Sequence, residues 1–167
     1  MQITLYDTLV PSANRFLGSL DKILNKAAAF AAQKNIEPSV LLNARLAPDM
    51  FALTRQVQIA CDIAARSVAR LGDTEMPSFP DTETTFPELN ARISKALAFV
   101  NSVEKTKFVG SEDRDITFTT RRGDQHFKGL DYLRDFVLPN LHFHITTAYA
   151  ILRHNGVELG KADYLGG

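Results

Sequence analysis

The apolar positions in the first third of the chain fall on a regular beat. Leu9, Ala13, Phe16, Leu20, Ile23, Ala27 and Phe30 are separated by alternating steps of four and three. That spacing lays one apolar stripe along a single helix face. Leu17, Leu24 and Ala31 widen the stripe, as a helix inside a bundle requires. Thr4-x-x-Asp7 has the form of a capping box, in which two side chains satisfy N–H groups that a helix start leaves free. A helix is therefore predicted from near Leu5. Pro11 then falls inside it, which predicts a kink or a later start.

The rhythm returns in Met50, Leu53, Val57, Ala60, Ala64, Ser67 and Leu71, with Gly72 as the stop. Pro48 suits the first position of this second helix, and Asp49 favours its positive end. Val40, Leu41, Leu42 and Leu46, in the connection before it, are expected to pack somewhere. Residues 72–85, with Pro77 and Pro80, read as a loop. Thr85-x-x-Glu88 is a second capping box, placed before Phe86, Leu89, Ile93, Ala96, Val100 and Val103. From 105 to 128 the helical beat stops. Asp115 to Thr120 alternates, Arg121 to Asp124 reads as a turn and Gln125 to Lys128 returns, which predicts a short β-hairpin.

A fourth helix is predicted from about Leu130 to Asn155, closing at Gly156. Its inner face carries Leu130, Leu133, Val137, Leu141, His144, Ala148 and Ile151, and Pro139 should bend it. The tail from Val157 to Gly167 is expected to fold back on a bundle end. The fold expected for residues 1–167 is thus one all-α domain, a four-helix bundle with a small β-hairpin between helices three and four.

Composition narrows the function. Lysine plus arginine and aspartate plus glutamate number 19 each, so no excess positive field collects phosphates and a nucleic-acid partner is not expected. Apolar residues at 45% and charged residues at 23% fit a globular chain rather than a disordered one. Cys61 is the sole cysteine, which rules out an internal disulfide and a cysteine zinc cluster. No apolar run approaches the roughly 20 residues that span a bilayer. The opening Met-Gln-Ile-Thr-Leu-Tyr-Asp lacks a signal-peptide pattern, so no membrane partner and a cytoplasmic location are expected.

Candidate chemistry gathers on the fourth helix, at Asn140-Leu-His142-Phe-His144. Asn140 and His144 stand four apart and share a face, whereas His142 points elsewhere. His144 lies on the apolar stripe, and a buried imidazole needs partners. The plainest reading is a core histidine bonded to a carbonyl or to a glutamine of another helix. Metal ligation and a role in a binding pocket are the alternatives. Gln56 borders the inner face of the second helix and can reach His144 across the bundle, although a boundary residue reaching solvent is the preferred reading. Asp62 and Arg66, four apart, read as a surface ion pair worth little. Cys61 reads as a small packing residue, with no cation one helical turn away.

The run from Pro139 to Gly156, continued by Lys161-Ala-Asp-Tyr-Leu165, resembles a bacterial family known as domain of unknown function 1993. So does the stretch from Ala47 to Asp62 on the second helix. That family looks like a branch of the DinB/YfiT-like superfamily of metal-dependent four-helix proteins. The resemblance implies a metal site of three histidines, one on helix two and a His-x-x-x-His pair on helix four. His144 matches the second member of that pair. Asn140 stands at the first, and the helix-two position falls near Gln56 or Gln58. Amide oxygens replace imidazole poorly on zinc or nickel.

Three readings follow. The preferred one is a bundle that binds a small molecule, or a stress-related accessory protein, with Gln56, Asn140 and His144 lining the pocket and no tight metal. The second is a divergent metal-dependent hydrolase or thiol-dependent transferase, with zinc or nickel on His144, Asn140 and Gln56. The third is a homodimeric interaction module using Phe136, Phe143 and Tyr149, which could equally pack under the hairpin and tail. Whether the chain is an enzyme is left open by its sequence.

Overall fold

The computed structural model describes residues 3–120 and 123–167. In chain order these form α1 (Leu5–Lys34), a short α2 (Pro38–Leu42), α3 (Leu53–Gly72) and α4 (Phe86–Ser102). A hairpin of β1 (Asp115–Thr120) and β2 (Gly123–Lys128) follows. Then come α5 (Gly129–Asp131), one π-helical turn (Tyr132–Val137), α6 (Leu138–His154) and α7 (Lys161–Leu165). Helices α1 and α3 each pack against both α4 and α6, closing a four-helix bundle. Its core includes Leu9, Leu20 and Ile23 of α1, Leu53 and Val57 of α3, Leu89 of α4, and Leu141 and Ile145 of α6, all buried. Each such side chain contributes roughly 1.5–3 kcal/mol by leaving water.

Both capping boxes form. Thr4 and Asp7 exchange bonds at the start of α1, and Thr85 and Glu88 do so at the start of α4. Helix α1 therefore begins at Leu5 and continues through Pro11, which sits on an exposed face where water can serve the carbonyl that proline leaves unbonded.

The second long helix departs from its expected start at Pro48. Helix α3 begins five residues later, at Leu53. The chain before it is held as a turn instead. The Leu53 N–H donates to the Ala44 carbonyl at 2.9 Å, and Arg45 reaches the carbonyls of Pro48 and Met50. Of the apolar residues in this connection, Leu41 and Leu42 are buried, whereas Val40 and Leu46 are exposed.

The hairpin pairs Asp115 with Lys128 and Thr120 with Gly123. The Arg121 and Arg122 part of its expected turn lies outside the described residues. Phe118 and Phe127 lie against the π-helical turn, with Phe118 ring centroids 4.9 Å from Phe136 and 5.6 Å from Tyr132. Phe136 is thereby occupied by the hairpin.

The π-helical turn joins α5 to α6 just before Pro139. A wider turn relieves the clash between a proline ring and the preceding turn. It also inserts an extra residue, and each residue turns the helix by about 100°. Positions upstream are rotated accordingly. Leu130, expected on the inner face, is 47% exposed, and Tyr132 is fully buried in its stead.

The tail runs along the flank of α1 and not over a bundle end. Lys26 bonds Asp163 at 2.6 Å, and the Arg15 Nε donates to the Leu165 carbonyl at 2.9 Å. Tyr164 packs against Phe16 and Tyr149.

Candidate functional site

His144 lies in the second turn of α6 and is half-buried against α3. Its Nδ1 stands 2.7 Å from Gln56 Oε1. Gln56, in the first turn of α3, is 1% exposed, so the preferred expectation that it reaches solvent is overturned. Helix phase explains this, because Gln56 follows Leu53 by three and the two share the α6-facing side. The Gln56 Nε2 donates at 3.0 Å to the Phe51 carbonyl, just ahead of α3. That donation orients the amide with its oxygen toward His144. The imidazole must therefore donate from Nδ1, and its lone pair sits on Nε2. Burial, and then the positive charge of Arg55, push the His144 pKa down to about 4. At neutral pH the ring is uncharged and Nε2 is a hydrogen-bond acceptor.

Asn140 does not join this pair. Its Nδ2 donates back to the Phe136 carbonyl of its own helix at 2.6 Å. Among the described residues no hydrogen bond links it to His144 or Gln56. Gln58 is buried but faces the other way, accepting from Arg55 and donating to Glu83 at 2.9 Å. His142 points away as expected, with Nδ1 3.2 Å from the Tyr164 hydroxyl and its ring edge-on to Phe16.

The three residues do not fit a zinc or nickel ion as a set. Gln56 spends both ends of its amide on His144 and Phe51, and the Asn140 amide is held through its nitrogen to Phe136, with only its weakly binding oxygen left over. One imidazole nitrogen and one amide oxygen remain, where such ions take three or four nitrogen, sulfur or carboxylate donors. Among the described residues, no three histidine, cysteine, aspartate or glutamate side chains gather in a way that could hold a metal.

The chain as a whole resembles a solved structure. A crystal structure of a DinB family member protein from Shewanella denitrificans matches with a TM-score of 0.90 and 44% sequence identity, over 98% of this chain and 92% of that one. Residues 5–165 match the model of a family described as Domain of unknown function (DUF1993). The chain belongs to DUF1993. No curated protein matches it.

Elsewhere in this DUF1993 bundle lies a polar cluster that sequence reading missed. Arg92 of α4 is 2% exposed. Its guanidinium bonds Asp62 of α3 at 2.7 Å, Asp81 at 3.0 Å, Glu83 at 3.0 Å and the Pro80 carbonyl at 3.0 Å. Burial opposes its charge, but the Glu83 and Asp62 carboxylates prevail and raise its pKa. Asp62 is consequently no mere surface partner of Arg66, from which it stands 3.3 Å. Arg92 follows Leu89 by three and precedes Ala96 by four, so its place on the inner stripe was visible. Cys61, fully buried beside this cluster, has its thiol pushed up to about 12 by burial, which outweighs the charge of Arg92. It behaves as the packing residue expected.

Proposed function

We propose that this protein binds a small polar molecule at His144, without a tightly held metal, in a binding or stress-related accessory role. The observation that carries the reading is the Phe51–Gln56–His144 chain of hydrogen bonds. It fixes the ring and its tautomer, while burial and the Arg55 charge hold the ring neutral, so that Nε2 is left to accept from a hydroxyl or N–H donor on a ligand. Arg55, whose charge also acts on the ring, favours ligands that carry an acidic group as well.

Ring-nitrogen NMR of histidine-labelled protein tests this. In a screen of hydroxyl-, amide- and carboxylate-bearing fragments, binders should move the Nε2 resonance of His144 and lose affinity in His144→Phe. A screen in which no fragment moves that resonance overturns the reading. Zinc or nickel chloride should leave the melting temperature unchanged, since a metal that binds the folded state would raise it.

Self-association is a second reading with an observation of its own. Phe143 and Leu46 are exposed and line a shallow cleft of about 340 Å³ with Ala150 beside the His144 helix face. Phe136 and Tyr149 are taken up by the hairpin and the tail, so Phe143 would have to carry the contact. Light scattering that shows a monomer across concentrations removes it.

A further inference from the structure

The connection between α3 and α4 is attached to the bundle in an unusual manner. Among the described residues, no backbone–backbone hydrogen bond holds residues 75–83. Most of these residues are exposed, with Pro77, Phe79 and Glu83 half-buried, so little apolar burial secures them. The grip comes from side chains of α3 and α4. Arg92 takes Pro80, Asp81 and Glu83, and its guanidinium carbon lies 5.6 Å from the Phe79 ring centroid. Arg55 pairs with Asp81, and Gln58 donates to Glu83. Asp62, with Arg66 against it, completes the charges facing Arg92 from α3. Arg92 Nε is buried with no hydrogen-bond partner.

We propose that residues 75–83 form a charge-latched strap, fastened by Arg92 across the α3–α4 groove and able to open while the four-helix core stays folded. Segments held by few apolar contacts open at a lower free energy than the core that carries them. Here the fastening is mostly charged and polar, with Phe79 packed against the core, whereas the helices beneath are held by burial. Opening exposes the Arg92 guanidinium and the Asp62 carboxylate side by side on the groove. It gives the molecule a second conformation, in which Arg55 is also released from Asp81.

Cys61 is a built-in reporter, because it is fully buried and within electrostatic reach of Arg92, Asp62 and Glu83. Its labelling by a small neutral maleimide under native conditions should proceed roughly tenfold or more faster in Glu83→Gln than in the wild type, since charge-assisted bonds to the latch are weakened. The melting temperature should stay close to that of the wild type. If Glu83→Gln fails to fold, Asp81→Asn, at the more exposed end of the latch, supplies the same comparison. Equal labelling rates overturn the strap. So does labelling that follows the full urea dependence of global unfolding in both proteins.

Discussion

His144 Nδ1 and Gln56 Oε1 lie 2.7 Å apart and join α6 to α3 across the bundle. Neither residue has this partner in its own helix. The bond exists because two amphipathic stripes meet and bring one polar position on each to the same level.

Gln56→Leu removes that acceptor and the donor to Phe51 together. The His144 N–H and the Phe51 carbonyl are left without partners, which should destabilise the fold by about 1–3 kcal/mol in urea unfolding. The His144 ring should also lose its fixed tautomer in ring-nitrogen spectra. Asn140→Ala, which breaks only a bond within α6, should leave those spectra as they are. A change of equal size in both variants would return Asn140 to the site.

Acid should weaken the protein through the same ring. His144 has a folded pKa of about 4 against an ordinary value of 6.5. Above 6.5 it is neutral in both states, and its contribution to stability is fully present. As the pH falls toward 4 the unfolded chain takes up a proton that the folded chain refuses, so stability declines. Burial lowers the His142 pKa too, which steepens the same slope. Asp7, held down to about 2 chiefly by its Lys105 partner, acts in a lower window, below its ordinary 3.8. Urea midpoints between pH 7 and 4 should fall less in His144→Phe than in the wild type.

Gly129, at the start of α5, admits no side chain. A Cβ there would stand 1.8 Å from the Ser111 carbonyl oxygen, and backbone cannot yield as a flexible side chain would. Gly129→Ala should cost about 3 kcal/mol and lower the melting temperature by several degrees. A melting temperature equal to that of the wild type would show that the hairpin base can shift freely.

Tyr132 turns a buried hydroxyl toward α3, 3.2 Å from Ser67 Oγ and 3.0 Å from an Arg70 nitrogen. Tyr132→Phe keeps the ring stacked with Phe136 and removes only the hydroxyl. The expected loss is about 1–2 kcal/mol by thermal melting. Tyr132→Ala also empties the aromatic cluster beneath the hairpin and should cost about 3–5 kcal/mol.

The sequence by itself determined the four long helices, both capping boxes and the hairpin. Each depends on residues near one another in the chain: apolar spacing along a helix face, side chains reaching back three positions, alternation along a strand. A bond from His144 to a glutamine of another helix was among the readings the sequence offered, because His144 lies on the apolar stripe, but Gln56 at the border of its helix face was expected to reach solvent and is instead buried. Only the tertiary structure decided that Gln56 and not Gln58 meets the imidazole, that Asn140 turns back to its own helix, and that Arg92 gathers Asp62, Asp81 and Glu83. Those outcomes depend on how far one helix slides and rotates against the next, and the extra residue of the π-helical turn likewise turns Leu130 outward and Tyr132 inward while Leu133 and Val137 keep their buried places. Local spacing carries no record of either, since the partners lie tens of residues away and are selected by packing.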